Sequence, residues 1–259
     1  MSVKLFWRYL AATFLVTFFF QFLLVILLAT TALRAGGGLY WTLLVLGGSA
    51  PTVVAVYLVL RHDRQTEKRN FFKSIVAFRK NPGWFVFALF FPLAIGGLYR
   101  LMEDDAQGLF DLSASDLLMF IPALFLGILL GGLEEVGWRG LLFRELQYQG
   151  PLVVVALLTG GIWGLWHIPL FFIEGTAHGD YAFLPYFLGA LMYGVFLTYI
   201  LVRTRSIGMA ILSHAAINAA ASIGLSIVFR HDLFTYLYLA LFILIGCFLL
   251  LQYEKEASH

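Results

Sequence analysis

The stretch LLMFIPALFLGILLGGLEEVGWRGLL, Leu117–Leu142, decides what kind of protein this is. It is long enough to cross a bilayer, which takes about 20 mainly apolar residues. Yet it carries two adjacent glutamates, Glu134 and Glu135, and an arginine, Arg139. An ionisable side chain in hydrocarbon costs several kcal/mol, at least ~2.5–3.5 on insertion scales, so it normally faces a partner or a wet cavity. Two further apolar stretches carry the same kind of burden: Trp163-Gly164-Leu165-Trp166-His167, and His214-Ala215-Ala216-Ile217-Asn218. Polar side chains on three apolar segments point to a water-containing site within a membrane.

Composition agrees with a membrane protein. Of the 259 residues, 61% are hydrophobic and 12% charged, with a mean hydropathy of +0.88. Soluble domains are roughly 45–50% apolar and about 25% charged. Eight candidate spans appear: Tyr9–Leu33, Leu39–Leu60, Trp84–Met102, Leu117–Leu142, Pro151–Ile173, Leu184–Val202, Ile207–Phe229 and Phe234–Tyr253. None alternates with the period of two expected of a barrel strand, so the predicted class is all-α. The expected architecture is a single transmembrane helical domain over residues 1–259, a bundle of about eight helices with its motif-bearing core at about 117–229. Pro92, Pro122 and Pro169 are expected to kink their helices, since proline removes a donor and clashes one turn back. The run after Lys4 and Arg8 is too long for a signal-peptide core of roughly 7–15 residues and reads as a retained first span.

Lysine and arginine set the expected orientation. With a cytoplasmic N-terminus, 14 fall inside, seven of them between Arg61 and Lys80, against Arg34, Arg100 and Arg230 outside. Both termini are therefore expected in the cytoplasm of a multi-pass protein, in the plasma membrane if the source is bacterial. Asp104, Asp105, Asp111, Glu174 and Asp180 then fall outside. The basic loop reads as solvated, although Phe71-Phe72 and Ile75-Val76 would let it touch anionic lipid at the membrane surface. The formal charge of +2 is too small to imply nucleic acid as a partner. The single cysteine, Cys247, excludes an internal disulfide and reads as a small core residue.

Helical spacing divides the polar residues. Glu135 and Arg139, four apart, share a face and should form an ion pair. Glu134 lies about 100° away and lacks a local partner; a carboxylate beside an aromatic suits a general base. Gly160, Gly161 and Gly164 before His167 should let another helix backbone approach closely. His214 and Asn218, four apart, share a face that could stabilise an oxyanion. Each set, taken singly, is explained equally by interhelical hydrogen bonds. Together, Glu134, His167, His214 and Asn218 meet the needs of water-mediated amide hydrolysis: Glu134 and His167 on the water, His214 and Asn218 on the oxyanion. Ser213 points away from His214 and makes no Ser-His pair. A zinc reading uses Glu134, His167 and His214 as ligands, and the residues alone leave both readings open. No cofactor is favoured, with zinc as the alternative. His178, Asp180 and Glu174 read as a solvated outer loop. Depth is an imperfect check: at about 1.5 Å per residue, Glu134, His214 and His167 lie roughly 16, 12 and 24 Å from their nearest predicted cytoplasmic loops.

The Glu134-Glu135 pair followed by Arg139, the aromatic Trp163 four residues before His167, and His214 four before Asn218 resemble the three signature motifs of the CPBP family. That family includes type II CAAX prenyl endopeptidases and bacterial Abi proteins of bacteriocin processing and immunity. The resemblance covers about Gly131 to Asn218, and Trp163 stands where the family often has phenylalanine. It implies an eight-helix intramembrane endopeptidase with Glu134, His167, His214 and Asn218 catalytic and Glu135 and Arg139 in support. Relatives are commonly labelled metalloproteases, while a glutamate-activated water has been argued for the CAAX enzymes. The expected partners are a peptide or protein substrate, with or without a lipid modification, reaching the site from or near the cytoplasmic side, and membrane lipids. The rivals are a proton-coupled transporter built on the same buried residues and a non-catalytic immunity or scaffold protein.

Overall fold

The computed structural model describes residues 3–30, 33–78, 82–103 and 113–258. Arg79, Lys80, Asp104, Asp105 and Asp111 lie outside them. All regular structure among the described residues is helical. The chain runs through α1 (Val3–Thr30), α2 (Gly38–Gly48), α3 (Ala50–His62), α4 (Gln65–Ile75), α5 (Pro82–Met102) and α6 (Ala114–Leu130). After a run of short irregular turns to Leu146 come α7 (Leu152–Trp166), α8 (Phe183–Thr204), α9 (Ile207–Ser222) and α10 (Leu233–Ala257). Large apolar side chains line the exterior, among them Leu118, Phe125 and Leu129 of α6, each more than 60% exposed. Such a surface suits lipid and would be a liability in water. The protein is an integral, multi-pass, all-α membrane protein.

Each of the eight predicted spans is built on helix, but among the described residues six helices are long and apolar enough to cross a membrane by themselves. A seventh forms if α2 and α3, bent by 44° at Ser49, count together. Pro51, in the first turn of α3, needs no intrahelical donor there, which favours a fresh helix start at this point. The stretch Ile207–Phe229 is the exception. Its helix ends at Ser222, and Gly224 adopts a left-handed φ of +77°. Leu225, Ile227 and Phe229 are apolar because they are buried in protein, not because they face lipid. Irregular backbone at membrane depth is tolerated in such a place. Pro92 and Pro122 lie inside continuous helices, whereas at Pro169 the α-helix has already ended and a 3-10 turn, Ile168–Phe172, follows.

The basic segment after Arg61 is a helix, α4, rather than an irregular loop. Phe71 is buried against the bundle, while Phe72 and Val76 are 38% and 71% exposed. Ser74 Oγ accepts the Ile207 backbone N–H at 3.1 Å, and Ser206 Oγ donates to the Ala77 carbonyl. The start of α9 is thus roofed by α4: Ser206 is fully buried and Ile207 4% exposed. The start of α9 thus lies beneath a helix, which carries His214 deeper than a helix starting at the molecule's surface would.

Candidate active site

Glycines control how α6 and α9 meet. A Cβ on Gly127 would sit 2.7 Å from the Ala215 carbonyl, and one on Gly132 would sit 2.8 Å from the Ile211 carbonyl. Backbone therefore packs on backbone, which carries His214 and Asn218 up to the Glu134 segment. That segment is not the regular helix its apolar run predicts. Beyond Leu130 come a 3-10 turn (Gly132–Glu134), one α turn (Glu135–Gly137) and a π-helical stretch (Trp138–Phe143). Breaking the helix frees carbonyls, and Thr52 of α3 donates to that of Leu133 at 2.6 Å. π-Helical insertions are rare and frequent at functional sites.

The expected ion pair is present: Arg139 Nη1 lies 3.1 Å from Glu135 Oε2, with both side chains buried. Arg139 Nη2 also donates to the Gly194 carbonyl at 3.2 Å. Glu135 has a second role that helical spacing could not reveal. Its Oε1 accepts from His214 Nδ1 at 2.8 Å. Glu135 is therefore shared between Arg139 on its own segment and the imidazole of α9.

Glu134 does have a partner, supplied by α7. Trp163 Nε1 donates to Glu134 Oε2 at 2.9 Å, and the Trp163 carbonyl accepts from His167 Nδ1 at 2.8 Å. A carbonyl only accepts, so His167 carries its proton on Nδ1 and presents Nε2 as a free lone pair. Trp163 thus fixes both a carboxylate and an imidazole. The expected approach of a helix to the α7 glycines is also found: a Cβ on Gly160 would lie 3.3 Å from Gly194 Cα of α8.

Glu134, His167, His214 and Asn218 all line one cavity of about 260 Å³. Glu134, His167 and His214 are 7%, 6% and 4% exposed, while Asn218 lies at the cavity's exposed margin. Sequence reasoning missed two wall residues. Tyr186 of α8 stands edge-on to the His167 ring at 5.5 Å. His178, read from the sequence as solvated, folds into the wall: its ring stacks on His167 at 5.6 Å and its Nε2 lies 3.1 Å from the Tyr186 hydroxyl. Burial pushes the His178 imidazole down to about 4, so it is neutral at neutral pH and adds no charge beside His167. Glu174 and Asp180 are exposed, as expected.

The hydrogen bonds around the cavity are compatible with either a bare water or a zinc-bound one. Nδ1 of each histidine is engaged by a carbonyl or a carboxylate, which orients Nε2 as it would for a metal ligand, and Trp163 holds one Glu134 oxygen while the other is left. Among the described residues no three His, Cys, Asp or Glu side chains are arranged to hold a metal ion.

Gly131 is the tightest point of the site. A Cβ there would fall 2.2 Å from Asn218 Nδ2 and 3.1 Å from His214 Nε2. Gly131→Ala is expected to displace the amide and lower turnover by about 10²-fold, the scale for losing one oxyanion donor. Peptide-cleavage kinetics on purified, folded protein check this.

The fold and cavity define a polytopic membrane protein with a buried acid, buried imidazoles and an amide at the margin gathered around one internal space. Residues 114–220 match a family model described as type II CAAX prenyl endopeptidase Rce1-like. A CAAX prenyl protease 2 from Methanococcus maripaludis is 27% identical over 195 residues, spanning 68% of this chain and 70% of its own length. Both findings support the resemblance to the CPBP family and an intramembrane protease of this type.

Proposed function

We propose that this chain is an endopeptidase that cleaves a peptide bond with a water molecule held between Glu134 and His167. The observation that carries the reading is the commitment of the ring and carboxylate atoms around a single cavity. Trp163 occupies Glu134 Oε2 and His167 Nδ1, which leaves Glu134 Oε1 and His167 Nε2 for the water. Glu134 takes a proton as the water oxygen attacks the carbonyl carbon, and returns it to the leaving nitrogen as the carbon–nitrogen bond breaks. Asn218 Nδ2 donates to the oxyanion. His214 Nε2 can donate as well when the ring carries both protons, a state whose charge Glu135 compensates across the 2.8 Å contact at Nδ1. Arg139 holds Glu135 in place through the 3.1 Å ion pair, as a positioning residue.

The roles rest on this chain's own side chains, and no step passes through a metal. The test is mass spectrometry of candidate membrane peptides incubated with protein reconstituted in liposomes, with and without a strong chelator. The expected result is discrete cleavage by wild type, retained in chelator, and none by His167→Ala. Cleavage abolished by chelator and restored by zinc would overturn the metal-free mechanism. Proton or solute movement without any cleavage would favour the transporter.

A further inference from the structure

Two side chains in the cavity wall take no part in the proposed mechanism, although each brings a polar group to it: His178 of the α7–α8 connection and Tyr186 of α8. The connection that carries His178 is pinned along its length. After the 3-10 turn Ile168–Phe172, Thr176 Oγ1 donates to the Leu170 carbonyl at 2.8 Å. Gly175 takes a left-handed φ of +85°, and a Cβ there would fall 2.9 Å from Ala35 Cβ, so the turn packs closely on the α1–α2 connection. The Ala182 N–H then donates to the Phe229 carbonyl at 2.9 Å. Side chains that hold a substrate need rotamers locked by packing and hydrogen bonds, and a pinned connection supplies the backbone for that.

Packing fixes both rings. The His178 ring lies 17° from parallel with the His167 ring, at 5.6 Å, and edge-on to Phe171 at 5.5 Å. Tyr186 stands edge-on to His167, Phe171 and Phe229 at 5.5, 5.2 and 5.4 Å. Aromatic packing of this kind is open to phenylalanine at both positions. What phenylalanine could not supply is the 3.1 Å contact between His178 Nε2 and the Tyr186 hydroxyl. A phenol has one donor proton and acceptor lone pairs, so this bond leaves hydrogen-bonding capacity over. Among the described residues no second protein group takes up that capacity. The hydroxyl also lies within electrostatic reach of the Glu134 carboxylate. A polar group with capacity to spare therefore stands in an aromatic part of the wall, near the proposed base.

We infer that Tyr186 is a further substrate-contacting residue of this site and that His178 is its positioning residue. The Tyr186 hydroxyl hydrogen-bonds the backbone of the peptide in the cavity, next to the bond that Glu134 and His167 address. A backbone offers both a carbonyl and an N–H, and the pair serves either. With a proton on His178 Nε2, the imidazole donates to the phenol oxygen and leaves the hydroxyl proton for a substrate carbonyl. With Nε2 bare, the imidazole accepts the hydroxyl proton and leaves the phenol oxygen for a substrate N–H. No bond to the peptide is made or broken by either residue; they hold the chain while the water attacks. This role rests on the proteolytic reading of the site.

Steady-state kinetics of the purified full chain test it, on a peptide that wild type cleaves in the mass-spectrometric assay. Tyr186→Phe keeps the ring and removes only the hydroxyl. It is expected to raise KM about 3–10-fold, the scale of one net hydrogen bond, with kcat within about twofold of wild type. His178→Phe should raise KM in the same way, and the Tyr186→Phe/His178→Phe double variant should be no worse than Tyr186→Phe alone, because His178 acts through the hydroxyl. Should His178→Phe melt well below wild type, His178→Leu takes its place. Wild-type KM in folded Tyr186→Phe protein overturns the inference. A fall in kcat at unchanged KM in the His178 variant, or KM losses that multiply in the double variant, removes the positioning role of His178. A wild type that cleaves no peptide at all sinks the proteolytic reading and this role with it, a result distinct from cleavage at unchanged KM.

Discussion

Glu134→Gln protein is expected to fold like wild type and to lose cleavage by about 10²–10⁴-fold, the range for removing a general base. The substitution is close to isosteric, and the amide oxygen still accepts the Trp163 indole N–H that the carboxylate accepts at 2.9 Å. On the proposed mechanism, what disappears is proton affinity at the carboxylate oxygen that Trp163 does not hold. Turnover numbers from detergent-solubilised protein, with melting temperatures on the same samples, check both halves. A fall in turnover matched by a fall in melting temperature would assign Glu134 to structure. Wild-type turnover in well-folded Glu134→Gln protein would end its role as base.

Glu135→Gln is expected to act on stability first and on chemistry second. Its carboxylate, fully buried, lies between the Arg139 guanidinium and the His214 ring. Removing one partner of a buried pair leaves an uncompensated charge and costs about 3–5 kcal/mol. Thermal or denaturant unfolding in detergent should show that loss. Arg139→Leu should share it through the opposite charge. The two differ at His214: Glu135→Gln also withdraws the carboxylate that holds Nδ1, while Arg139→Leu leaves that contact available. Residual activity per folded molecule should therefore be lower in Glu135→Gln. Equal residual activities would remove Glu135 from the chemistry.

Local spacing made part of this site readable in the sequence. Glu135 and Arg139 are four apart and pair as that spacing predicts, and the small residues at Gly160 and Gly164 do admit α8. The contacts that bring the site together link residues far apart in the chain. Trp163 and Glu134 are 29 positions apart, and His214 and Glu135 are 79. No periodicity encodes such pairs. The π-helical stretch at Trp138–Phe143 was equally hidden, since an apolar run with a regular period looks the same whether or not one turn is widened.

Hydropathy also misjudged two segments for a shared reason. It counted Ile223–Phe229 as membrane span because the residues are apolar, yet they are buried loop. It counted His178 as solvated because its neighbours are polar, yet its ring completes the cavity wall. In both, the surroundings of a residue are set by tertiary packing over the cavity, which a sliding window along the chain does not contain. The glutamate pair shows the same limit: spacing separated Glu134 from Glu135 correctly, but both turned out to be partnered, one by an indole and the other by a guanidinium and an imidazole.

The claim that Glu134 and His167 act on one water is tested most directly by a double-mutant cycle on single-turnover cleavage. Groups that act as a unit are strongly non-additive. Glu134→Gln, His167→Ala and the double variant are compared at saturating enzyme, with folding verified for each. The account predicts that the double variant is no slower than the slower single variant. Losses that multiply, each residue contributing independently of the other, would contradict it.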